Sequence, residues 1–204
     1  MFARLSFLNP YWLWAILALP ALAMIAPFFG EETRALRGVI HGSGEFAARF
    51  MIISMMATPL MLLTKGGGFA RWLKGNRRYF GVAAFSYAAV HTLAYLVVEE
   101  TWARVLAEAT DFDILMGWLA FAVFIPLAAT SMDLAVRKMG TWWKPLQRWT
   151  YAAALLTLLH WAALHNWGSW PPAAVHFAPL AALTAYRIWW NFGRKRPARN
   201  AVAA

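Results

Sequence analysis

Six long apolar stretches dominate this chain, and they leave few folds open to it. Each is close to the ~20 residues that a helix needs to cross about 30 Å of hydrocarbon. The stretches cover residues 11–29, 46–64, 79–98, 114–132, 149–165 and 175–192. Each is predicted to be a helix, because a helix satisfies its own backbone hydrogen bonds in lipid. The predicted fold is an all-α membrane protein, a six-helix transmembrane bundle that forms a single domain over residues 1–204.

The composition agrees with this interpretation. Hydrophobic residues make up 61% of the chain and charged residues 14%, whereas soluble domains carry about 25% charged residues. Thirteen Trp and six Tyr residues are the ring types that collect at membrane interfaces. The absence of cysteine from the sequence excludes disulfides, thiolate catalysis, iron–sulfur ligation and the covalent attachment of c-type haem. Any cofactor must therefore be held by His, Met, carboxylate or packing.

The distribution of charge predicts the orientation of the chain. A net charge of +10 would suggest a nucleic-acid partner in a soluble protein, but here it divides between two sides of a bilayer. The side with both termini and the basic tail 193–204 carries fifteen basic residues and one acidic residue. The other side carries four basic and eight acidic residues. The positive-inside rule therefore predicts that both termini are cytoplasmic, and no nucleic-acid partner is expected.

The connections between the apolar stretches are short. The longest of them, around residues 30–45, 65–78 and 99–113, have about fifteen residues each. None can hold a soluble catalytic domain, so the chain alone is not expected to carry out a final catalytic step.

Two histidines are predicted to lie at the same depth in the membrane. His91 follows Arg78 by thirteen residues, and His160 follows Gln147 by thirteen. At 1.5 Å per residue both lie about 18–20 Å from the cytoplasmic edge, on helices that run in the same direction. Two imidazoles at equal depth on different helices are what axial ligation of a b-type haem requires. The alternative is two unrelated histidines that are hydrogen-bonded to backbone or hydroxyl groups.

The other histidines fit this pairing less well. His165 lies five residues after His160, which places it about 140° round the helix and about 7.5 Å higher. It therefore matches the depth of His91 badly and is the weaker ligand candidate. His41, His165 and His176 all fall near the outer interface, where a solvated imidazole is the simplest interpretation.

An arginine near the outer end of the second stretch is the best candidate for pairing with haem propionates. Arg49 lies about one turn inside this stretch, with Arg34 and Arg37 behind it. The alternative is that Arg49 extends to the interface and pairs with Glu45, four residues earlier.

Two tyrosines flank the first of the paired histidines. Tyr87 and Tyr95 lie four residues before and after His91, on its own helix face. They are candidates for lining a haem edge or orienting the imidazole, and aromatic core packing is the alternative.

Short motifs occur in a specific order along most of the chain, from about residue 41 to residue 190. They are His41-Gly42-Ser43-Gly44, Thr58-Pro59-Leu60, Arg77-Arg78-Tyr79-Phe80-Gly81, Val90-His91-Thr92-Leu93-Ala94-Tyr95, Thr130-Ser131, Arg137-Lys138-Met139-Gly140, Trp143-Lys144-Pro145-Leu146-Gln147-Arg148, Tyr151 and Leu159-His160-Trp161. In this order and spacing the chain resembles the MsrQ (formerly YedZ) family. Members are haem-binding membrane subunits of the bacterial periplasmic methionine-sulfoxide reductase system, within the wider ferric-reductase-like transmembrane group.

The resemblance implies that His91 and His160 are the axial ligands of the haem iron. The family usually has a further His where this chain has Gln147. In two-haem relatives a second ligand pair lies about thirteen residues below the first, which corresponds here to Arg78 and Gln147. Neither side chain is a good axial ligand, so a single haem b is expected.

The resemblance also implies a function in electron transfer at the bacterial inner membrane. Electrons would pass from the quinol pool, or from a flavin such as FMN, through haem to a periplasmic molybdopterin-containing catalytic subunit. That partner would reduce methionine sulfoxide in oxidised envelope proteins. Four basic residues near the inner surface are candidates for a flavin phosphate, although the positive-inside rule explains them equally. They are Arg71, Lys74, Arg77 and Arg78.

Two other functions stay open on the sequence. One is a stand-alone ferric or quinone reductase-like cytochrome b without a molybdenum partner. The other is a non-redox membrane protein, such as a small transporter or an assembly factor. Few charges lie deep in the apolar stretches, which argues against an ion or proton relay.

Overall fold

A computed structural model describes residues 10–25, 32–99 and 101–193, and all the regular elements in these ranges are helical. The helices are α1 (Pro10–Ile25), α2 (Glu32–Leu63), α3 (Gly68–Val98), α4 (Trp102–Glu108), α5 (Phe112–Ala129), α6 (Asp133–Met139), α7 (Trp143–Arg148), α8 (Thr150–Ala163) and α9 (Trp170–Ile188). A 3₁₀ turn, Gly140–Trp142, precedes α7, and a π-helical turn, Trp189–Gly193, follows α9. The predicted all-α fold is confirmed for the described residues.

Within the described part of the chain, three helical segments are long and apolar enough to cross a membrane. They are Leu36–Leu63, Gly68–Val98 and Phe112–Ala129. A further apolar segment, Tyr11–Met24, is shorter. Large apolar side chains are exposed on the surfaces of these helices, as expected where lipid surrounds the protein. The chain is therefore a membrane protein.

Two predicted connections are largely helical. Helix α2 begins at Glu32 rather than at residue 46, and α3 begins at Gly68 rather than at residue 79. The predictions marked where the apolar run begins, whereas a helix continues into polar sequence for as long as its backbone bonds can form. The third connection also contains a helix, α4, whose first turn is capped by the Thr101 hydroxyl.

The ends of the last two helices also differ from the predicted bounds. Helix α8 ends at Ala163 instead of residue 165, because Leu164 leaves the helical region with φ −52° and ψ 144°. The next three residues, 165–167, all have positive φ. Helix α9 begins at Trp170, five residues before the predicted start, with prolines in its first turn, where a missing N–H has no cost.

Some of the predicted features lie outside the described residues. They include Arg4, Pro27, Glu31, Glu100, the side chain of Arg34 and all of the basic tail beyond Gly193. The other prolines of the apolar stretches lie inside helices, namely Pro20, Pro59, Pro126 and Pro179.

The core is built from two pairs of antiparallel helices. Helices α2 and α3 pack along most of their length after a tight turn in which Gly66 has φ +84°. Helices α5 and α8 form the second pair, and α9 packs against both α2 and α8. Many of the buried residues are alanines, and such small side chains let helices approach closely in membranes. These two pairs position the site described next.

Candidate functional site

The two histidines predicted to pair lie next to each other, edge to face, between the helix pairs. The centroids of the His91 and His160 rings are 6.0 Å apart, and the ring planes are inclined at 80°. The two residues are 69 positions apart in the chain and lie on α3 and α8, so the tertiary fold brings them together. Their expected equal depth agrees with this arrangement.

Each imidazole is held by a backbone carbonyl of a neighbouring helix. His91 Nδ1 lies 2.7 Å from the Ile40 carbonyl oxygen of α2. His160 Nδ1 lies 2.7 Å from the Asp113 carbonyl oxygen of α5. Because a carbonyl oxygen only accepts, Nδ1 must carry the proton in both rings. In the neutral form the unprotonated nitrogen is then Nε2, which makes no hydrogen bond to any other described residue in either ring.

Both rings line a cavity of about 380 Å³ between α2, α3, α5 and α8. This volume is within the range of small-molecule and cofactor sites. Its wall is mostly apolar and includes Trp118, Phe121 and Phe124 of α5. Polar side chains also line it, namely Arg37, His41, Glu45, Thr92, Tyr95, Thr157 and His165. The Thr157 hydroxyl is buried and has no hydrogen-bond partner among the residues that the structure describes.

The donor set limits what this cavity can bind. Among the described residues, no group of three or more His, Cys, Asp or Glu side chains could hold a metal ion. A zinc site built from the protein alone needs three or four such ligands. Two imidazoles instead suit a metal ion whose other ligands arrive with a cofactor.

The chain is similar to known families of membrane proteins. Residues 43–158, which include both Gly44 and His91, match the family described as ferric reductase like transmembrane component. A relative in Polaromonas naphthalenivorans (strain CJ2), the protein-methionine-sulfoxide reductase heme-binding subunit MsrQ, is 31% identical over 179 residues. The alignment covers 80% of this chain and 76% of that protein. The chain belongs to the MsrQ family of ferric-reductase-like membrane proteins.

Two further relatives show the range of this similarity. The MsrQ heme-binding subunit of Brucella anthropi is 32% identical over 161 residues, which cover 76% of this chain and 70% of that protein. The magnetosome protein MamZ of Magnetospirillum gryphiswaldense is 36% identical over 157 residues, which cover 74% of this chain and 23% of MamZ. No solved structure matches the chain.

Arg49 does not line the cavity in this member of the MsrQ family. Its Nη2 lies 2.5 Å from Glu45 Oε2, and its Nε donates to His176 Nε2 at 3.3 Å. The guanidinium also lies over the Phe46 ring, 5.1 Å from its centroid. The predicted alternative, an ion pair with Glu45, is therefore present. Arg37 instead lines the cavity.

The two flanking tyrosines have different environments. Tyr87 is 5% exposed and points away from the cavity into an aromatic cluster with Phe46 and Phe50. Its hydroxyl donates to the Leu17 carbonyl and accepts from the Ala21 N–H of α1, at 2.9 and 2.8 Å. Tyr87 therefore bridges an i to i+4 pair of α1 beside Pro20, which fits the predicted alternative of aromatic core packing.

Tyr95 does line the cavity. Its hydroxyl donates to Glu108 Oε2 of α4 at 3.1 Å, and its ring meets Trp118 edge-on at 6.4 Å. This side chain closes one wall between α3, α4 and α5.

The remaining histidines lie around the site without joining the pair. His41 is exposed and lies 3.2 Å from Glu45 Oε1 at the edge of the cavity. His176 packs on the Trp161 ring, with centroids 4.9 Å apart. His165 lines the cavity but belongs to the turn after α8, so its predicted position on that helix is wrong. Its Nδ1 lies 3.1 Å from the Ser169 hydroxyl.

Two-haem relatives would have a second ligand pair at Arg78 and Gln147, but here Arg78 bonds to the start of α6 and Gln147 to the end of α5. Arg78 Nη1 lies 2.5 Å from Asp133 Oδ1. Gln147 Nε2 donates to the Leu127 carbonyl at 3.2 Å and to the Thr130 hydroxyl at 3.1 Å. Neither lines the cavity. Gln147 also belongs to α7, so the thirteen residues counted from Gln147 to His160 as one helical rise cross a break at Trp149.

The sequence interpretation missed the backbone around the paired rings. Gly44 and Gly117 each lie directly against an imidazole. Gly44 was noted only as part of a motif, and Gly117 was not singled out. For Gly117 the available signal was a glycine inside an apolar stretch, which usually has a packing reason. Gly44 precedes the predicted stretch 46–64 and gave no such signal.

Proposed function

We propose that the chain is the haem-binding, electron-transferring membrane subunit of a methionine-sulfoxide reductase system. His91 and His160 would hold one haem b through their Nε2 atoms. The observation that carries this proposal is the pair of carbonyl-held imidazoles, 6.0 Å apart, in the wall of a mostly apolar cavity. Named relatives of the MsrQ family are described as heme-binding subunits, which supports the same assignment.

The residues present fit haem. Metal–nitrogen bonds are about 2 Å long, so a 6.0 Å separation of ring centroids accommodates one metal ion between the imidazoles. A metal-ligating His usually donates its other ring N–H to a carbonyl or carboxylate, which is what the Nδ1 atoms of His91 and His160 do. The orphaned Thr157 hydroxyl is a polar group that a bound molecule could satisfy.

Arg37 is the better candidate for pairing with a haem propionate. It lines the cavity, whereas Arg49 is engaged by Glu45 and His176. Arg37 makes no ion pair with another described residue, so its guanidinium is available to a carboxylate.

Haem, when bound, supplies one-electron redox chemistry. The protein supplies the ligands, fixes their orientation through the two carbonyls and surrounds the site with apolar side chains. Aromatic side chains such as Phe121 and Phe124 exclude water from the cavity wall, which keeps the local dielectric low.

The proposed setting is the bacterial inner membrane, with six spans and cytoplasmic termini. The paired imidazoles then lie toward the periplasm, near a cluster of acids. These are Glu45, Glu99, Glu108, Asp111 and Asp113. A periplasmic molybdopterin-containing subunit that docks on this surface would accept the electrons. Quinol from the bilayer, or FMN at the basic cytoplasmic surface, is the proposed donor.

The direct test is the visible spectrum of the purified protein before and after dithionite. We expect a reduced b-type spectrum and one haem per chain. His91→Ala and His160→Ala should each abolish haem retention, whereas the control His165→Ala should retain it. Retention of low-spin haem in both single variants would disprove the ligand assignment, and a colourless wild-type protein would disprove the haem proposal.

A second candidate function is a stand-alone ferric reductase, which the description of the matched family favours. The two functions differ in their need for a partner. Membranes that contain this chain alone should reduce an Fe(III) chelate if it acts by itself. They should do so negligibly, and support methionine-sulfoxide reduction only with a periplasmic catalytic subunit, if the first proposal holds.

A further inference from the structure

His91 and His160 have equivalent surroundings: each imidazole contacts a glycine of a neighbouring helix and hydrogen-bonds to the carbonyl four residues before that glycine. The carbonyl that holds His91 belongs to Ile40, four residues before Gly44 on α2. The carbonyl that holds His160 belongs to Asp113, four residues before Gly117 on α5. In each case the ring lies over the glycine and its Nδ1 reaches the carbonyl of the preceding turn.

The absence of a side chain on each glycine is what permits this contact. A Cβ at Gly44 would lie 2.9 Å from His91 Nδ1, and a Cβ at Gly117 would lie 2.9 Å from His160 Nδ1. Real Cβ atoms almost never approach another atom so closely. In a helix the carbonyl of residue i−4 already accepts the N–H of residue i. An imidazole that lies against residue i and reaches this carbonyl occupies the space that a Cβ would take, and glycine leaves that space open.

We propose that Gly44 and Gly117 are positioning residues that set the orientation and the basicity of the two haem ligands. This inference rests on the proposed function of His91 and His160. Each glycine opens a helix carbonyl to the Nδ1–H of the facing imidazole. The resulting hydrogen bond fixes the Nδ1–H tautomer, directs Nε2 to the iron and makes that nitrogen a stronger donor. A stronger donor stabilises the ferric state, so both glycines hold the reduction potential down.

Other glycines of the same helices lack this arrangement, which argues that the contact is specific. A Cβ at Gly38, six residues before Gly44 on α2, would meet no atom within 4 Å. A Cβ at Gly42 would approach the flexible end of Met24 at 3.0 Å. Among these α2 glycines, only Gly44 faces an imidazole.

The first experiment compares four alanine variants of the full-length haem protein. Gly44→Ala and Gly117→Ala should each raise the midpoint potential in a dye-mediated titration and shift the g values of the low-spin ferric EPR signal. Gly38→Ala controls for helix propensity, and Gly42→Ala controls for crowding that does not involve a ligand. Both controls should retain the wild-type potential and g values. The proposal is overturned if Gly44→Ala and Gly117→Ala are indistinguishable from these controls.

A second measurement tests the hydrogen bond itself and does not depend on the folding of the alanine variants. His91→Gly removes one ligand and leaves space that added imidazole can occupy. Imidazole has an N–H that can donate to the Ile40 carbonyl, whereas 1-methylimidazole has none. We expect imidazole to restore the low-spin spectrum at a several-fold lower concentration than 1-methylimidazole. Equal concentrations would overturn the role of the carbonyl.

These outcomes are distinct from a failure of the proposed function. If the wild-type protein binds no haem, the ligand assignment itself fails. If it binds haem through His91 and His160 but the glycine variants and the two imidazoles show no difference, only the positioning role fails.

Discussion

The two chain segments that carry His91 and His160 each have a different polar residue thirteen positions earlier, Arg78 in one segment and Gln147 in the other. At the histidine level, defined by His91 and His160, two rings face each other across a cavity. At the lower level, defined by Arg78 and Gln147, both side chains bond to the end of α5 or the start of α6. At the histidine level the Nε2 atoms make no hydrogen bond to any described residue and are available to bind a metal ion. At the lower level the polar side chains form bonds between helices.

The difference shows that a ligand site needs more than a residue at the right depth. At the histidine level a glycine on the neighbouring helix makes room for each ring, and a carbonyl takes up the Nδ1 proton. At the lower level the Gln147 amide donates to the Leu127 carbonyl and to the Thr130 hydroxyl. Four predictions test this contrast.

The largest effect on haem binding is expected when a histidine of the upper pair is replaced by the residue type found at the lower level. His160→Gln replaces an imidazole by the amide found at the lower level, and an amide is a poor ligand for haem iron. We expect loss of the six-coordinate low-spin spectrum, with haem either lost or high-spin in the purified protein. A variant with an unchanged low-spin EPR signal would contradict the assignment of His160. Thr150→Val, which removes a hydroxyl bonded only to the Gln147 carbonyl, is a control on the same helix.

A smaller effect is expected from a residue one turn from the histidine level that contacts no cofactor. Tyr87→Phe removes the hydroxyl that bridges Leu17 and Ala21 of α1. The loss should destabilise the folded protein by about 0.6–1.7 kcal/mol, the average and the maximum for interhelical hydrogen bonds in a folded membrane protein, and leave the haem spectrum unchanged. Thermal unfolding in detergent measures the first effect and absorption the second. A changed spectrum would mean that Tyr87 also acts on the site.

A weak, pH-dependent effect is expected at the lower level. The hydrogen bond and positive charge of Arg78 hold the pKa of Asp133 below its usual value. A carboxylate with a lowered pKa stabilises the folded state above its unfolded pKa of about 3.9 and loses this contribution as the pH falls through the folded value. The wild-type protein should therefore unfold at a slightly higher temperature than Asp133→Asn at pH 7. The difference should vanish in acid, and a constant difference across this pH range would contradict the pairing.

No change in cofactor content is expected from placing ligands at the lower level. The double variant Arg78→His with Gln147→His supplies two imidazoles there, but neither position lines the cavity. Pyridine haemochrome analysis should still give one haem per chain. A ratio near two would show that residue identity alone decides the number of haems.

Much of the architecture was predictable because it depends on local properties. The length and apolar character of each stretch predicted helices in all six places, and the described residues confirm this. The bounds were wrong where a helix extends into polar sequence, as at Glu32 and Gly68. Hydropathy marks where lipid begins, whereas backbone hydrogen bonding decides where a helix begins.

The surroundings of the site were less predictable. The sequence left two possible partners for Arg49, a haem propionate and Glu45. Helix packing places its guanidinium between Glu45 and His176. Tyr87 shares a nominal helix face with His91, but the position of α1 draws its hydroxyl away from the cavity. Both outcomes depend on which helix lies beside which.

The sequence by itself therefore determined the helices and their apolar character, since both follow from residues close together in the chain, and it predicted that His91 and His160 pair. Only the tertiary structure decided which carbonyl each ring reaches and which glycine makes room for it. Gly44 and His91, like Gly117 and His160, are more than forty residues apart. Their contact depends on how two helices pack side by side, and no local pattern encodes that distance.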